Sequence, residues 1–177
     1  MRFLRLFLTL IALCSVFSWL FATPLDSSNG FEVVSLCHRN ITFGHGLQIN
    51  WVGASEECLP TDLPLMEGES MHRLLEDLYP GIDLEVMARE DGTTYFTFHF
   101  GAEADFSQVK LAVSGAVWVP WSRSWQLSSG AGAFVWEGDE MADSGFSFLT
   151  YGDVMIPRIQ NEIPSEGLSL SWVQRPL

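Results

Sequence analysis

The stretch Ile82-Asp83-Leu84-Glu85-Val86-Met87-Ala88-Arg89-Glu90-Asp91-Gly92-Thr93-Thr94-Tyr95-Phe96-Thr97-Phe98-His99-Phe100 decides how this chain folds. Apolar residues recur at every second position on both sides of Glu90-Asp91-Gly92, the signature of two strands that each bury one face. A two-residue loop at Asp91-Gly92 would pair Met87 with Phe96 and split the apolar rows across two faces. A three-residue loop, Glu90-Asp91-Gly92, pairs Val86 with Phe96, Leu84 with Phe98 and Ile82 with Phe100. Gly92 then takes the left-handed position of a bulged turn. Register and burial agree only in the second arrangement, which also sets Asp83 opposite His99 on the outer face.

Upstream, Ile41, Phe43, Leu47, Ile49 and Trp51 share one parity, and Asn40, Thr42, Gln48 and Asn50 share the other. This is again strand alternation, broken by Gly44-His45-Gly46. Downstream, Val109 to Val119, Trp125 to Trp136, Phe146 to Ile156 and Leu168 to Val173 read as strands between turns rich in Gly, Pro, Ser and Asp. Between Met66 and Tyr79 the period changes. Met71, Leu74, Leu75 and Leu78 follow the i, i+3, i+4, i+7 spacing of a helix face, Glu69 and Arg73 make a favourable i,i+4 pair, and Pro80-Gly81 ends the pattern. The spacing predicts one α-helix over about 67–79. The expected fold is therefore mostly β: a single β-sandwich or flattened barrel of short antiparallel strands with one helix.

At the start of the chain, Met1-Arg2-Phe3-Leu4-Arg5 precedes an uncharged apolar run from Leu6 to Ala22 and then Thr23-Pro24. That is the layout of a cleavable secretory signal peptide over residues 1–22. Residues 23–177 are then expected to form a single β-rich domain with a flexible lead at 23–31. The run falls just short of the roughly 18–20 apolar residues that span a bilayer, and no later segment is apolar for as long, so a secreted, extracellular protein free of the membrane is expected after cleavage.

Formal charge is −13, and loss of Arg2 and Arg5 with the signal makes it −15. So acidic a surface, with no basic stripe, argues against nucleic acid as a partner. Cys14 departs with the signal and leaves Cys37 and Cys58, for which an oxidising compartment predicts a disulfide. Neither their spacing nor that of His38 and His45 matches a zinc pattern, and no metal or other cofactor is expected. Asn40-Ile41-Thr42 is a glycosylation sequon, with Asn40 on the outward parity.

Two segments bear on function. In Trp118-Val119-Pro120-Trp121-Ser122-Arg123-Ser124-Trp125, the residues Trp121, Arg123 and Trp125 alternate, so an extended chain would set two indoles around a guanidinium, with Trp118 nearby on a small, polar face. Such a row can stack on sugar rings or anchor a protein interface. The leading expectation is accordingly a secreted acidic binding protein, not an enzyme, acting on an extracellular protein or glycan through Trp118, Trp121, Arg123 and Trp125. In Trp136-Glu137-Gly138-Asp139-Glu140, Glu137 and Asp139 would share one face of a strand. As a carboxylate pair they give the alternative, a small polysaccharide hydrolase. Calcium-loop spacing is absent from this acidic stretch, and Ser144 lacks the flanking glycines of a nucleophile elbow.

Overall fold

The computed structural model describes residues 31–138, 146–159 and 168–177. Among them the chain forms fourteen strands: β1 (Val33–Leu36), β2 (Asn40–Phe43), β3 (Gln48–Trp51), β4 (Pro60–Asp62), β5 (Glu69–Tyr79), β6 (Ile82–Arg89), β7 (Thr94–Phe100), β8 (Leu111–Ser114), β9 (Ala116–Val119), β10 (Ser124–Leu127), β11 (Ala133–Gly138), β12 (Phe146–Tyr151), β13 (Val154–Ile159) and β14 (Leu168–Pro176). They make two antiparallel sheets. The first runs β1-β2-β3-β8-β13-β12, and the second β4-β5-β6-β7-β14-β11-β10-β9. Each sheet ends in two edge strands, so the architecture is a β-sandwich rather than a closed barrel.

The core lies between the sheets. Ile41, Phe43, Ile49, Trp51, Leu111 and Val113 come from the first, and Leu75, Leu84, Val86, Phe96, Phe98 and Phe134 from the second. Trp51 meets Phe96 across the gap, edge to face, with ring centroids 6.0 Å apart. The β6–β7 register is the one read from the side chains, with Ile82, Leu84 and Val86 opposite Phe100, Phe98 and Phe96. Gly92 takes φ +83°, and Arg89 N donates to Thr93 O at 2.8 Å to close the three-residue loop. The break between β2 and β3 is a 3₁₀ turn at Gly44–Gly46 with His45 in the left-handed region.

The helix expected over about 67–79 is instead the long strand β5. Three features make its sequence look helical. Arg73 occupies the inner parity, opposite Val86, where it binds Asp62 on edge strand β4 with Nε 2.6 Å from Oδ1. Leu74 stands on the outer parity, opposite Glu85. Between Leu75 and Tyr79 the register slips at a bulge where Asp77 adopts φ +48°, so Leu78 and Tyr79 are both buried. A charged residue facing in, an apolar one facing out and a bulge convert period two into apparent period 3.6. Pro80-Gly81, with Gly81 at φ +70°, turns a two-residue hairpin into β6.

Three other expected strands divide. The run 146–156 folds back after Tyr151 as β12 and the start of β13. The run 109–119 splits at Gly115: β8 belongs to the first sheet and β9 to the second. The run 125–136 folds back on itself as β10 and β11. Residues 1–30, with the expected signal peptide, lie outside the described residues. Phe31, the last residue of the expected flexible lead, is buried and packs edge to face on Phe134 at 6.0 Å. Among the described residues no helix is long and apolar enough to cross a membrane.

Candidate functional site

After Gly115 the parity of the chain reverses relative to the core, because the strand has left one sheet for the other. Ala116 and Trp118 therefore turn toward the sandwich, and Val117 becomes 61% exposed. Trp118 and Trp125 are direct cross-strand partners on β9 and β10, with ring centroids 5.5 Å apart. Trp125 continues the stack onto Phe134, at 6.2 Å and 8° between planes, and is only 1% exposed. The expected binding row of Trp118, Trp121, Arg123 and Trp125 is thus not one surface. Trp125 is core and cannot reach a ligand, and Trp118 packs against the core from the edge strand.

Trp121 goes the other way. Pro120 to Arg123 form the turn between β9 and β10, and Arg123 closes it in the left-handed conformation, φ +50°. A turn breaks the alternation that would have aligned Trp121 with Trp125. Trp121 is left at the tip, 89% exposed, with Arg123 also exposed beside it. Below the indole, on the outer side of β10, is a groove of about 400 Å³ bounded by Val119, Trp121, Ser122, Ser124, Gln126 and the 130–133 turn. Ser124 is nearly fully buried in its floor, and its Oγ lies 2.8 Å from that of Ser122.

The structure also assembles a constellation that the sequence pattern did not single out. Glu85 on β6 binds His72 on β5, with Oε1 2.5 Å from Nε2, and His99 on β7, with Oε2 3.0 Å from Nε2. His99 Nδ1 is in turn 2.8 Å from Ser169 Oγ on β14. Four side chains thus form one hydrogen-bonded line across the outer face of the second sheet. Burial would lower the His72 pKa. The Glu85 carboxylate, the Pro64 carbonyl and the nearby Glu69 charge outweigh it and hold His72 above its usual value. Burial likewise acts to raise Glu85, but its hydrogen bonds to the two histidines hold it below the ordinary carboxylate range.

Ser169, His99 and Glu85 have the connectivity of nucleophile, base and orienting acid. Strand amides, however, lie in the plane of the sheet and point at neighbouring strands, so they are not aimed outward to stabilise an oxyanion over Ser169. The signal in the sequence was the outward parity of Glu85 and His99. That His72 joins them was hidden while residues 67–79 read as a helix.

The hydrolase alternative rests on Glu137 and Asp139. Glu137 is exposed on β11, and Asp139 lies outside the described residues, as do Glu140 and Ser144. Asn40 is half-buried at the start of β2, where its Oδ1 accepts from Thr42 Oγ1 of the same sequon at 3.5 Å. Cys37 and Cys58, the pair expected to form a disulfide, are not joined in this structure. Cys37 Sγ faces Asn40 Oδ1 at 3.8 Å, while Cys58 is buried with the core. Among the described residues no group of three or more His, Cys, Asp or Glu side chains is placed to hold a metal ion. Comparison with protein-family models, curated proteins and solved structures finds no match to this chain.

Proposed function

We propose that this protein is a secreted binding module that takes an extracellular protein or glycan on its β9–β10 hairpin, with Trp121 as the anchor. The observation that carries this reading is the contrast within one aromatic cluster. Trp118 and Trp125 are drawn into the sandwich, whereas Trp121, four residues from Trp125, stands almost wholly in solvent. Leaving a large apolar ring in water forgoes roughly 1.5–3 kcal/mol of burial, and a partner that covers the ring recovers it. Rigid aromatic side chains are the commonest anchors of binding surfaces, because they offer much area at little cost in side-chain entropy. The groove beside the ring supplies hydroxyl and amide groups for orientation. The acidic charge of the chain disfavours nucleic acid as the occupant.

Trp121→Ala tests this. The substitution should weaken partner binding by more than about 1–2 kcal/mol and leave the melting temperature within a degree or so of wild type, since the side chain packs on little else. Unchanged binding in a correctly folded Trp121→Ala protein would remove the hairpin from consideration.

A further inference from the structure

The groove under Trp121 is specific enough in its chemistry to name a ligand class, on the reading that the hairpin is the binding face. We infer that it accepts a neutral hexopyranose unit of an oligosaccharide, stacked on the Trp121 indole and hydrogen-bonded through its hydroxyls to Ser122, Ser124 and Gln126.

Every side chain that bounds the groove is uncharged. A cationic ligand would meet no carboxylate in it, and a polyanion would approach a chain of net charge −13 against long-range repulsion. What the groove does offer is one flat π face, one primary amide that both donates and accepts, and two hydroxyls 2.8 Å apart that are left to accept, because Ser122 Oγ donates to Val119 O and Ser124 Oγ to Ser122. A pyranose ring has the complementary surface, an apolar face of C–H bonds and a rim of hydroxyls that themselves donate and accept.

The shape agrees. A volume of about 400 Å³ lies in the range of small-ligand sites, roughly 300–1,000 Å³. Gly130 also bounds the groove, and nothing lies within 4 Å of where its side chain would stand. Ser124 is nearly fully buried beneath the site and is held by Ser122, so the floor is fixed before a ligand arrives and little ordering cost falls on binding. A protein partner would instead favour a desolvated apolar pocket around the anchor, which this polar floor does not provide.

The test is titration of the intact chain with neutral hexasaccharides of glucose, mannose, galactose and N-acetylglucosamine, and with oligogalacturonate as the charged counterpart, followed by tryptophan fluorescence and calorimetry. At least one neutral oligosaccharide should bind. Trp121→Ala and Gln126→Ala, both at exposed positions, should each weaken it about tenfold or more with an unchanged melting curve. Binding of oligogalacturonate alone, or neutral-sugar binding indifferent to both substitutions, overturns the inference. If no saccharide binds but Trp121→Ala abolishes capture of a protein from extracellular fluid, the saccharide inference fails while the hairpin remains the binding face. If Trp121→Ala changes nothing against either kind of ligand, both fail together.

Discussion

Gly115 passes so close to Gly46 that a Cβ built on it would overlap the Gly46 carbonyl oxygen and carbon. This contact lies where the chain leaves β8 for β9 and the first sheet for the second, and Gly115 takes φ +80° to make the crossing. Its carbonyl also accepts from Ser128 N at 2.8 Å, tying the crossing to the turn after β10. Gly115→Ala should therefore cost roughly 3 kcal/mol or more, combining left-handed strain with a clash against backbone that cannot swing away. Gly53 has the same φ and nothing within 4 Å of its would-be Cβ, so Gly53→Ala should show the strain alone, about 1–2 kcal/mol. Urea midpoints at unchanged m-value measure both, and equal losses at the two positions would mean that the crossing is looser than described.

The tryptophans separate by substitution as they do by burial. Trp125→Ala should destabilise by about 3–5 kcal/mol, the usual cost of emptying a large aromatic site, because its ring stacks on Phe134 and tilts against Trp118. Phe98→Ala should lie in the same range. Trp121→Ala should be neutral in the same thermal melts. A Trp125→Ala protein as stable as wild type would contradict the placement of that ring in the core.

The fold was legible wherever one face of a strand is buried and the other is not. The β6–β7 hairpin is the clearest case, since its alternation, its turn glycine and its register all agree. Legibility failed at β5, where Arg73 faces inward with Asp62, Leu74 faces outward and a bulge at Asp77 resets the parity. It failed again at Gly115, because a strand that changes sheets keeps its alternation while its buried side reverses. The candidate site inherits both failures. Extending the parity of 109–113 past Gly115 misassigned Trp118, and treating 121–125 as extended missed the turn that parts Trp121 from Trp125. What a single chain does carry is the unusual density of tryptophan in that segment, and the exposed member could be told from the buried ones only after the turn was placed.

The two thiols should differ in reactivity. Burial, followed by the charges of Asp83, Asp77 and Glu76, pushes the Cys58 thiol above its ordinary value, so little of the reactive thiolate is present near neutral pH. Cys37 is only half-buried. Alkylation of the native protein without reductant, followed by peptide mass spectrometry, should label Cys37 well before Cys58, with the rates converging in denaturant. Neither cysteine taking up reagent until the protein is reduced would show instead that they are bonded.

The line of His72, Glu85 and His99 makes stability depend on pH in a window that the shifts define. Both nitrogens of His72 face acceptors: Nε2 the Glu85 carboxylate at 2.5 Å and Nδ1 the Pro64 carbonyl at 3.1 Å. Only the protonated imidazolium can donate to both at once. The folded-state pKa of His72 is accordingly raised above 6.5. Its contribution is complete below that unfolded value and is lost as pH rises through the folded one. Glu85 is held below 4.5, so its contribution is complete above that value and is lost as pH falls through the folded one. The two contributions coexist between about pH 4.5 and 6.5, and the protein should melt at a higher temperature near pH 5.5 than at pH 8. Glu85→Gln keeps the shape but removes the charge that favours protonated His72. It should shrink the drop between pH 5.5 and pH 8 and lower the melting point most at the acidic end. His99→Gln, which leaves the His72–Glu85 pair in place, should preserve more of the drop. Melting curves for the three proteins across this range decide the matter, and a Glu85→Gln profile parallel to wild type would show that the line of side chains does not govern the pH response.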